Sequence, residues 1–214
     1  GTRAHSKNHH STLVQEFILA KPTIGEYKEK GSIFHAVSEP ASSVNHVKSI
    51  LLTFKEQFPD ASHICYAYRI KQGKSLDEFA SDAGEPNGSA GIPILNVLKR
   101  NQIVNAVIFV IRYFGGTKLG VPGLIHAYGT AAEDAIKDTK SRLWLEKKRL
   151  LVTYPYKLEG VMKSILQKNQ AVVIHEDFGE NIAIQLEIDV ESTDEFIDSV
   201  KELPSGSVQI IIED

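Results

Sequence analysis

The sequence predicts an α+β protein with two domains, and three observations support this class. An apolar run rich in β-branched residues, Ala106–Ile111, is followed by a glycine-rich loop and then by apolar residues at helical spacing. After residue 150, strand-like and helix-like segments follow one another in the order βαββαβ. The formal charge also divides, with +6 over residues 1–149 and −9 over residues 150–214, which favours two domains with different surfaces.

The segment Asn105–Tyr128 reads as a buried strand, a glycine loop and a helix whose first turn contains Pro122. A helix start beside a flexible loop presents unpaired N–H groups and the positive end of the helix dipole, which favours a bound anion. The glycine spacing matches neither the P-loop nor G-x-G-x-x-G, so nucleotide hydrolysis is not predicted. A tight βα turn with two solvated cations is the alternative. The residues of the predicted anion site are Arg112, Gly115, Gly116, Lys118 and Gly120.

Composition limits the classes of protein that are compatible with the sequence. The chain has 214 residues, 42% of them apolar, and no apolar run approaches the ~20 residues of a membrane span. The N-terminal residues are polar and lack the apolar region of a secretory signal. Cys65 is the single cysteine, so no intrachain disulfide is possible; we expect it to be buried and the protein to be cytoplasmic. Residues 1–20 read as a flexible leader; metal binding by His5, His9 and His10 is the less favoured alternative.

Apolar periodicity and turn residues place the other elements of the first half. They include a helix capped by Ser42 or Ser43 and ending before Pro59. In chain order, the predicted elements are strands at Ile24–Lys28, Ile33–Val37 and His63–Ile70, a helix at Val44–Phe58, and a short helix at Ile94–Leu98.

The segment Lys71–Gly91 is predicted to be irregular, and a loop this long is usually functional or disordered. It contains Asp82 and Glu85, which could bind Mg²⁺ or act as acid and base. The favoured interpretation is that both are turn-forming carboxylates bonded to loop N–H groups.

The second half follows the split βαβ pattern and shows no catalytic constellation. His175 is interpreted as a strand-edge residue. The predicted strands are Leu150–Tyr154, Ala171–His175, Ile182–Val190 and Ser207–Ile212, and the predicted helices cover Leu158–Leu166 and Thr193–Leu203.

Two linked motifs carry a family resemblance. SDAGEPNGSAGIPILNVL at Ser81–Leu98 and VIRYFGGTKLGVPGLIHAYGTAAEDAI at Val110–Ile136 resemble the signature of the IMPACT family, in its bacterial, YigZ-like type. The segments KGSIF and HICYAYRI are similar in type and place, so that the match covers most of residues 24–140. One departure is Ala83, where the family usually has a second acidic residue.

The resemblance implies two two-layer sandwich domains. The first would be similar to domain 2 of ribosomal protein S5 and to domain IV of elongation factor G, and the second would be ferredoxin-like, similar to domain V of that factor. The expected organisation is a leader over residues 1–20, an IMPACT-type domain over 21–140, a linker over 141–149 and the ferredoxin-like domain over 150–214.

The first functional hypothesis is a cytoplasmic, non-catalytic protein that binds RNA or the ribosome and acts on translation or its regulation. In this hypothesis Arg112, Lys118, Lys99 and Arg100 contact phosphates, and binding weakens with salt. Phe114 or Tyr113 could stack on bases, although one of the two is expected in the core. No cofactor and no metal are expected.

Two alternatives remain open. One is an enzyme for a phosphorylated small molecule that uses Asp82, Glu85 and Arg112. The other is a protein–protein regulator, because eukaryotic relatives restrain the activation of a translation-initiation kinase. Those relatives carry an extra N-terminal RWD domain, for which the sequence before residue 24 has no room, so we do not expect the kinase partner to carry over.

Overall fold

The computed structural model of the chain describes residues 15–72 and 75–213, which form two compact units that divide between Trp144 and Leu145. Within the described residues, no helix is long and apolar enough to span a membrane. The elements of the first unit are β1 (Phe17–Leu19), β2 (Thr23–Glu29), β3 (Ser32–Pro40), α1 (Val44–Gln57), β4 (His63–Gln72), β5 (Ser75–Ser81), α2 (Gly91–Arg100), β6 (Ala106–Tyr113), α3 (Gly120–Ile136) and β7 (Ser141–Leu143).

The main sheet of the first unit is antiparallel, with the strand order β2-β3-β6-β4-β5. Its central strand, β6, alternates between two apolar faces. Ala106, Ile108 and Val110 pack with α2 and α3, whereas Val107 and Phe109 pack with α1. The predicted α+β class is confirmed, and α1 adds a layer to the two that were expected.

Helix α3 lies directly against the edge strand β2. A Cβ atom on Gly25 would be 2.3 Å from the backbone nitrogen of Ala135, so only glycine allows this approach. The amide of Glu26 donates to Asp134 Oδ2 at 2.9 Å and ties the helix to the strand. Nearer the start of α3, the buried Tyr128 ring packs edge-on against Phe34, with 5.1 Å between ring centroids.

Strand β5 corrects the prediction that residues 71–91 are irregular. It forms a hairpin with β4, in which the ring of Phe79 stacks on that of Tyr68 at 5.6 Å. Most of its residues are exposed because it is an edge strand. Its charged residues interrupt the apolar alternation by which a strand is predicted from sequence. Helix α2 is also longer than predicted and begins at Gly91.

The predicted leader and linker are each partly occupied by a strand. Strand β1 pairs antiparallel with β7, and Leu19 of β1 is buried in the core. The leader predicted over residues 1–20 is therefore too long, while residues 1–14, with the three histidines, lie outside the described residues. The linker predicted over residues 141–149 contains β7 and the start of β8.

The second unit has the predicted ferredoxin-like βαββαβ fold, with the antiparallel strand order β11-β8-β10-β9. The alternating isoleucines and leucine of β10 face Met162 and Phe196 from the two helices. The elements are β8 (Lys147–Tyr154), α4 (Glu159–Lys168), β9 (Val172–Phe178), β10 (Ile182–Asp189), α5 (Thr193–Lys201) and β11 (Gln209–Glu213).

Candidate anion-binding site

A cavity of about 370 Å³ lies in the first unit where the end of β6, the glycine loop, the start of α3 and the β5–α2 loop meet. We call it the glycine-loop cavity. Four of the residues predicted as functional line it together: Glu85, Arg112, Lys118 and Gly120. Phe114 and Val121 also contribute to the wall, as does His63, which the sequence did not single out.

A buried ion-pair cluster forms one wall of the cavity. The register of the sheet places Arg112 of β6 opposite His63 of β4. Arg112 Nη1 donates to both oxygens of Glu85, at 2.7 and 2.9 Å, and His63 Nε2 lies 2.7 Å from Glu85 Oε1. The side chain of Glu85 is only 2% exposed, so the carboxylate is compensated by two partners rather than by water.

Both ring nitrogens of His63 face oxygen acceptors. Nδ1 lies 2.7 Å from the carbonyl oxygen of Ala83, and Nε2 faces Glu85. A carbonyl and a carboxylate accept but do not donate, so each contact is a hydrogen bond only when the ring nitrogen concerned carries a proton.

Arg112 keeps unused hydrogen-bond capacity although it is only 6% exposed. Its Nε has no partner among the described residues, and its Nη2 has only a long contact of 3.4 Å to Ser32 Oγ. Both hydrogen bonds from Arg112 to Glu85 come from one nitrogen, Nη1, so the guanidinium is not engaged in the two-nitrogen fork that binds carboxylates and phosphates best.

Gly115 has a packing role in the structure. A Cβ atom there would be 2.0 Å from the carbonyl carbon of Gly31, in the turn between β2 and β3. Its amide donates to Ser32 Oγ at 3.1 Å, and the amide of Phe114 donates to Ser62 Oγ at 2.9 Å. The N–H of Gly115 is thus occupied by the protein's own hydroxyl, contrary to the expectation that it faces a ligand.

The start of α3 remains a candidate for anion binding. The helix begins at Gly120 without a side-chain cap, so the amides of Leu119, Gly120 and Val121 have no intrahelical acceptor. Gly116 and Gly120 have positive φ angles of 92° and 72°, which the turn into the helix requires. Lys118 lines the same cavity, and the described part of the chain offers it no ion pair.

Asp82 is a structural anchor for α2. Its carboxylate accepts from the amides of Gly88, Ala90 and Gly91, at 2.8 to 3.1 Å. Burial alone raises the pKa of Asp82, but these three hydrogen bonds outweigh it and hold the pKa below the ordinary value. The structure thus places Asp82 in the turn-forming role. Its carbonyl also accepts from the Cys65 thiol, whose pKa burial raises to about 12.

Lys99 and Arg100 lie in a different place from the glycine-loop cavity. They occupy the last turn of α2, and Arg100 Nη2 pairs with Glu133 Oε1 at 3.0 Å. Glu133 is thirteen residues after Gly120 on α3, which corresponds to roughly 20 Å along the helix. The predicted cations therefore fall into two groups, at opposite ends of α3.

Sequence reasoning missed His63, Ser32 and Ser62. His63 was assigned only as the start of a strand, and its pairing with Glu85 follows from the position of the β5–α2 loop, which no local pattern indicates. Of the two aromatic residues, Phe114 is 51% exposed and lines the cavity, whereas Tyr113 is half-buried beside His35. Within the described residues, no group of three or more acidic, histidine or cysteine side chains is placed to hold a metal ion.

Comparisons with known proteins agree with the motifs. The Impact N-terminal domain family matches residues 30–136, and a domain of unknown function, DUF1949, matches residues 152–207. The chain is 30% identical to IMPACT family member YvyE of Bacillus subtilis, over 79% of this chain and 77% of that protein. It is 26% identical to IMPACT family member YigZ of Escherichia coli, over 91% and 96% of the two chains.

A solved structure described as a hypothetical protein shares the fold. Its TM-score is 0.73 at 24% identity, and the match covers 94% of this chain and 98% of the other. The matches thus extend across both units, and the first family accounts for the glycine loop and the β5–α2 loop together. The chain belongs to the IMPACT family, in its two-domain bacterial form.

Proposed function

We propose that this protein binds RNA or the ribosome through its first unit and thereby acts on translation or its regulation. The observation that carries the proposal is the concentration of positive charge at the glycine-loop cavity. Lys118 and Arg112 oppose Glu85, the one carboxylate among the residues that line the cavity, beside the uncapped start of α3. Helix N-termini and arginine both bind phosphate in proteins.

Three further points favour RNA. The first unit, residues 1–144, has 17 lysines and arginines against 13 acidic residues, and this net charge of +4 supports attraction to a polyanion. The exposed ring of Phe114 at the cavity offers a surface for base stacking. The resemblance to domains of the translation machinery is consistent with this function, although a shared fold does not by itself assign one.

The carboxylates favour binding over acid–base catalysis. Three amides occupy Asp82, and Arg112 with His63 occupies Glu85. A general base needs a lone pair that can reach the substrate, and both carboxylates already have partners.

The test is a salt titration of binding to RNA and to purified ribosomal particles. For electrostatic binding, the logarithm of the association constant falls linearly with the logarithm of the salt concentration. Each lost phosphate contact makes this slope shallower by about 0.7 to 0.9. We expect Lys118→Gln to weaken binding and to reduce the slope by about one contact. The matched control is Lys163→Gln, which neutralises an exposed lysine of the second unit and should change neither quantity.

Two further variants, Lys99→Gln and Arg100→Gln, measure whether the second group of cations also contacts phosphate. Binding that does not respond to salt would contradict the proposal. The absence of binding to any RNA or ribosomal particle at low salt would also contradict it.

A further inference from the structure

We propose that the glycine-loop cavity accepts the terminal phosphomonoester of a nucleotide, with the base against Phe114. This inference rests on the proposed function, since it specifies which part of an RNA the first unit holds. The same chemistry occurs in a free mononucleotide, and the experiment below separates the two sources.

The charge of the cavity favours an anion. Lys118 and Arg112 oppose one carboxylate of the wall, Glu85. A phosphomonoester carries a charge of roughly −1.5 to −2 near neutral pH, so this wall attracts it.

The geometry favours a terminal phosphate over an internal one. Arg112 is almost fully buried, so an oxygen must enter deeply to approach its unused donors. A terminal phosphate has three oxygens that are not ester-linked, and the nucleotide chain continues from it on one side only. An internal phosphate has two such oxygens, and the nucleotide chain on both of its sides would have to enter the cavity.

Phe114 supplies a place for the base. Its ring is half-exposed at the cavity wall, and the Arg112 guanidinium carbon lies 5.6 Å from the ring centroid. Aromatic rings at binding sites stack on bases with little sequence preference. A volume of about 370 Å³ is also at the small end of ligand pockets, which suits one nucleotide rather than a strand.

The experiment compares RNA oligonucleotides of one sequence that carry a 5′-phosphate, a 3′-phosphate or only hydroxyl ends, together with AMP, by titration against the full chain. We expect at least one phosphorylated form to bind about tenfold more tightly than the hydroxyl form. Phe114→Ala should lose about tenfold for AMP and for the phosphorylated oligonucleotide, with no loss for inorganic phosphate. The control is Phe178→Ala, an exposed aromatic residue of the second unit, which should change nothing.

Several outcomes decide between the possibilities. Equal affinity for phosphorylated and hydroxyl ends would overturn the terminal-phosphate assignment but leave RNA binding in place. Binding of AMP without binding of any RNA would support the cavity assignment and identify a free nucleotide as its source, and the proposed RNA function would then fall. Failure of every phosphomonoester to bind would overturn the inference outright. Phe114 and Lys118 are surface positions, so their variants test the cavity without removing the buried cluster.

Discussion

The two units differ in what they bury. The first buries Arg69, Glu85 and Arg112, whereas the polar residues buried in the described part of the second are Asn169 and Thr193. Burying a charge costs several kcal/mol unless it is paired, and a buried pair is often less stable than an apolar replacement. The second unit is thus explained by packing alone, and the first retains charges that packing does not require.

The two buried arginines of the first unit sharpen this contrast. Arg69 donates to Glu78 at 3.2 Å and to the Ile103 carbonyl at 3.1 Å, and its third nitrogen lies at the ion-pair distance of 3.8 Å from Glu16. Among the described residues, Arg112 has a strong partner for Nη1, none for Nε and a 3.4 Å contact for Nη2. An arginine without an unpartnered buried nitrogen is explained by structure, and one with such a nitrogen beside a cavity is a candidate for ligand binding.

The largest expected effect comes from Glu85→Ala, which leaves Arg112 and His63 without their shared carboxylate. Removing one partner of a buried ion pair costs about 3–5 kcal/mol of unfolding free energy. Urea unfolding followed by fluorescence measures it, because Trp144 is the single tryptophan and belongs to the first unit. A loss below about 1 kcal/mol would show that water compensates the cluster, and the contrast between the units would then fail.

Met162→Ala tests how much apolar packing contributes to the unfolding free energy of the second unit. The side chain is fully buried, so its truncation should cost about 3 kcal/mol through lost contacts and a cavity. Hydrogen exchange of the β10 amides measures this loss. Binding to RNA should be retained at temperatures where the variant is folded, and a loss of binding would implicate the second unit in function.

Asp82→Ala removes three hydrogen bonds at the start of α2 and should cost about 2 kcal/mol at pH 7. The pKa of Asp82 is lowered in the folded state, so its stabilisation is complete above the ordinary value of 3.8 and is lost as the pH falls through the lowered value. The unfolding free energies of the wild type and the variant should therefore begin to converge as the pH falls below about 3.8. A constant difference down to pH 2 would contradict the assignment.

The smallest effect is expected for Ala83→Gly. Ala83 has a φ of 46°, a conformation that costs a residue with a Cβ atom about 1 kcal/mol. Glycine removes this cost but makes the unfolded chain more flexible, so the net gain in unfolding free energy should be about 0.5 kcal/mol. Ala80→Gly, in the regular strand β5, is the control and should be destabilising.

The fold was more predictable than the site, for a physical reason. Alternation in β10 and helical spacing in α3 are local, so the sequence displays them directly. Strand β5 was missed because an edge strand can be charged, and β1 because it has only three residues. The contacts of Arg112 lie 27 residues away at Glu85 and 80 residues away at Ser32, and they depend on strand register and loop position, which no local pattern encodes.

The close approach of α3 to β2 has a consequence for the behaviour of the protein in solution. A sheet edge with free amides is a template for strand addition, which leads to aggregation. The Glu26 amide of this edge is already bonded to Asp134, and the helix covers the strand at Gly25. A larger side chain at residue 25 would lift α3 from the strand and open that edge to self-association.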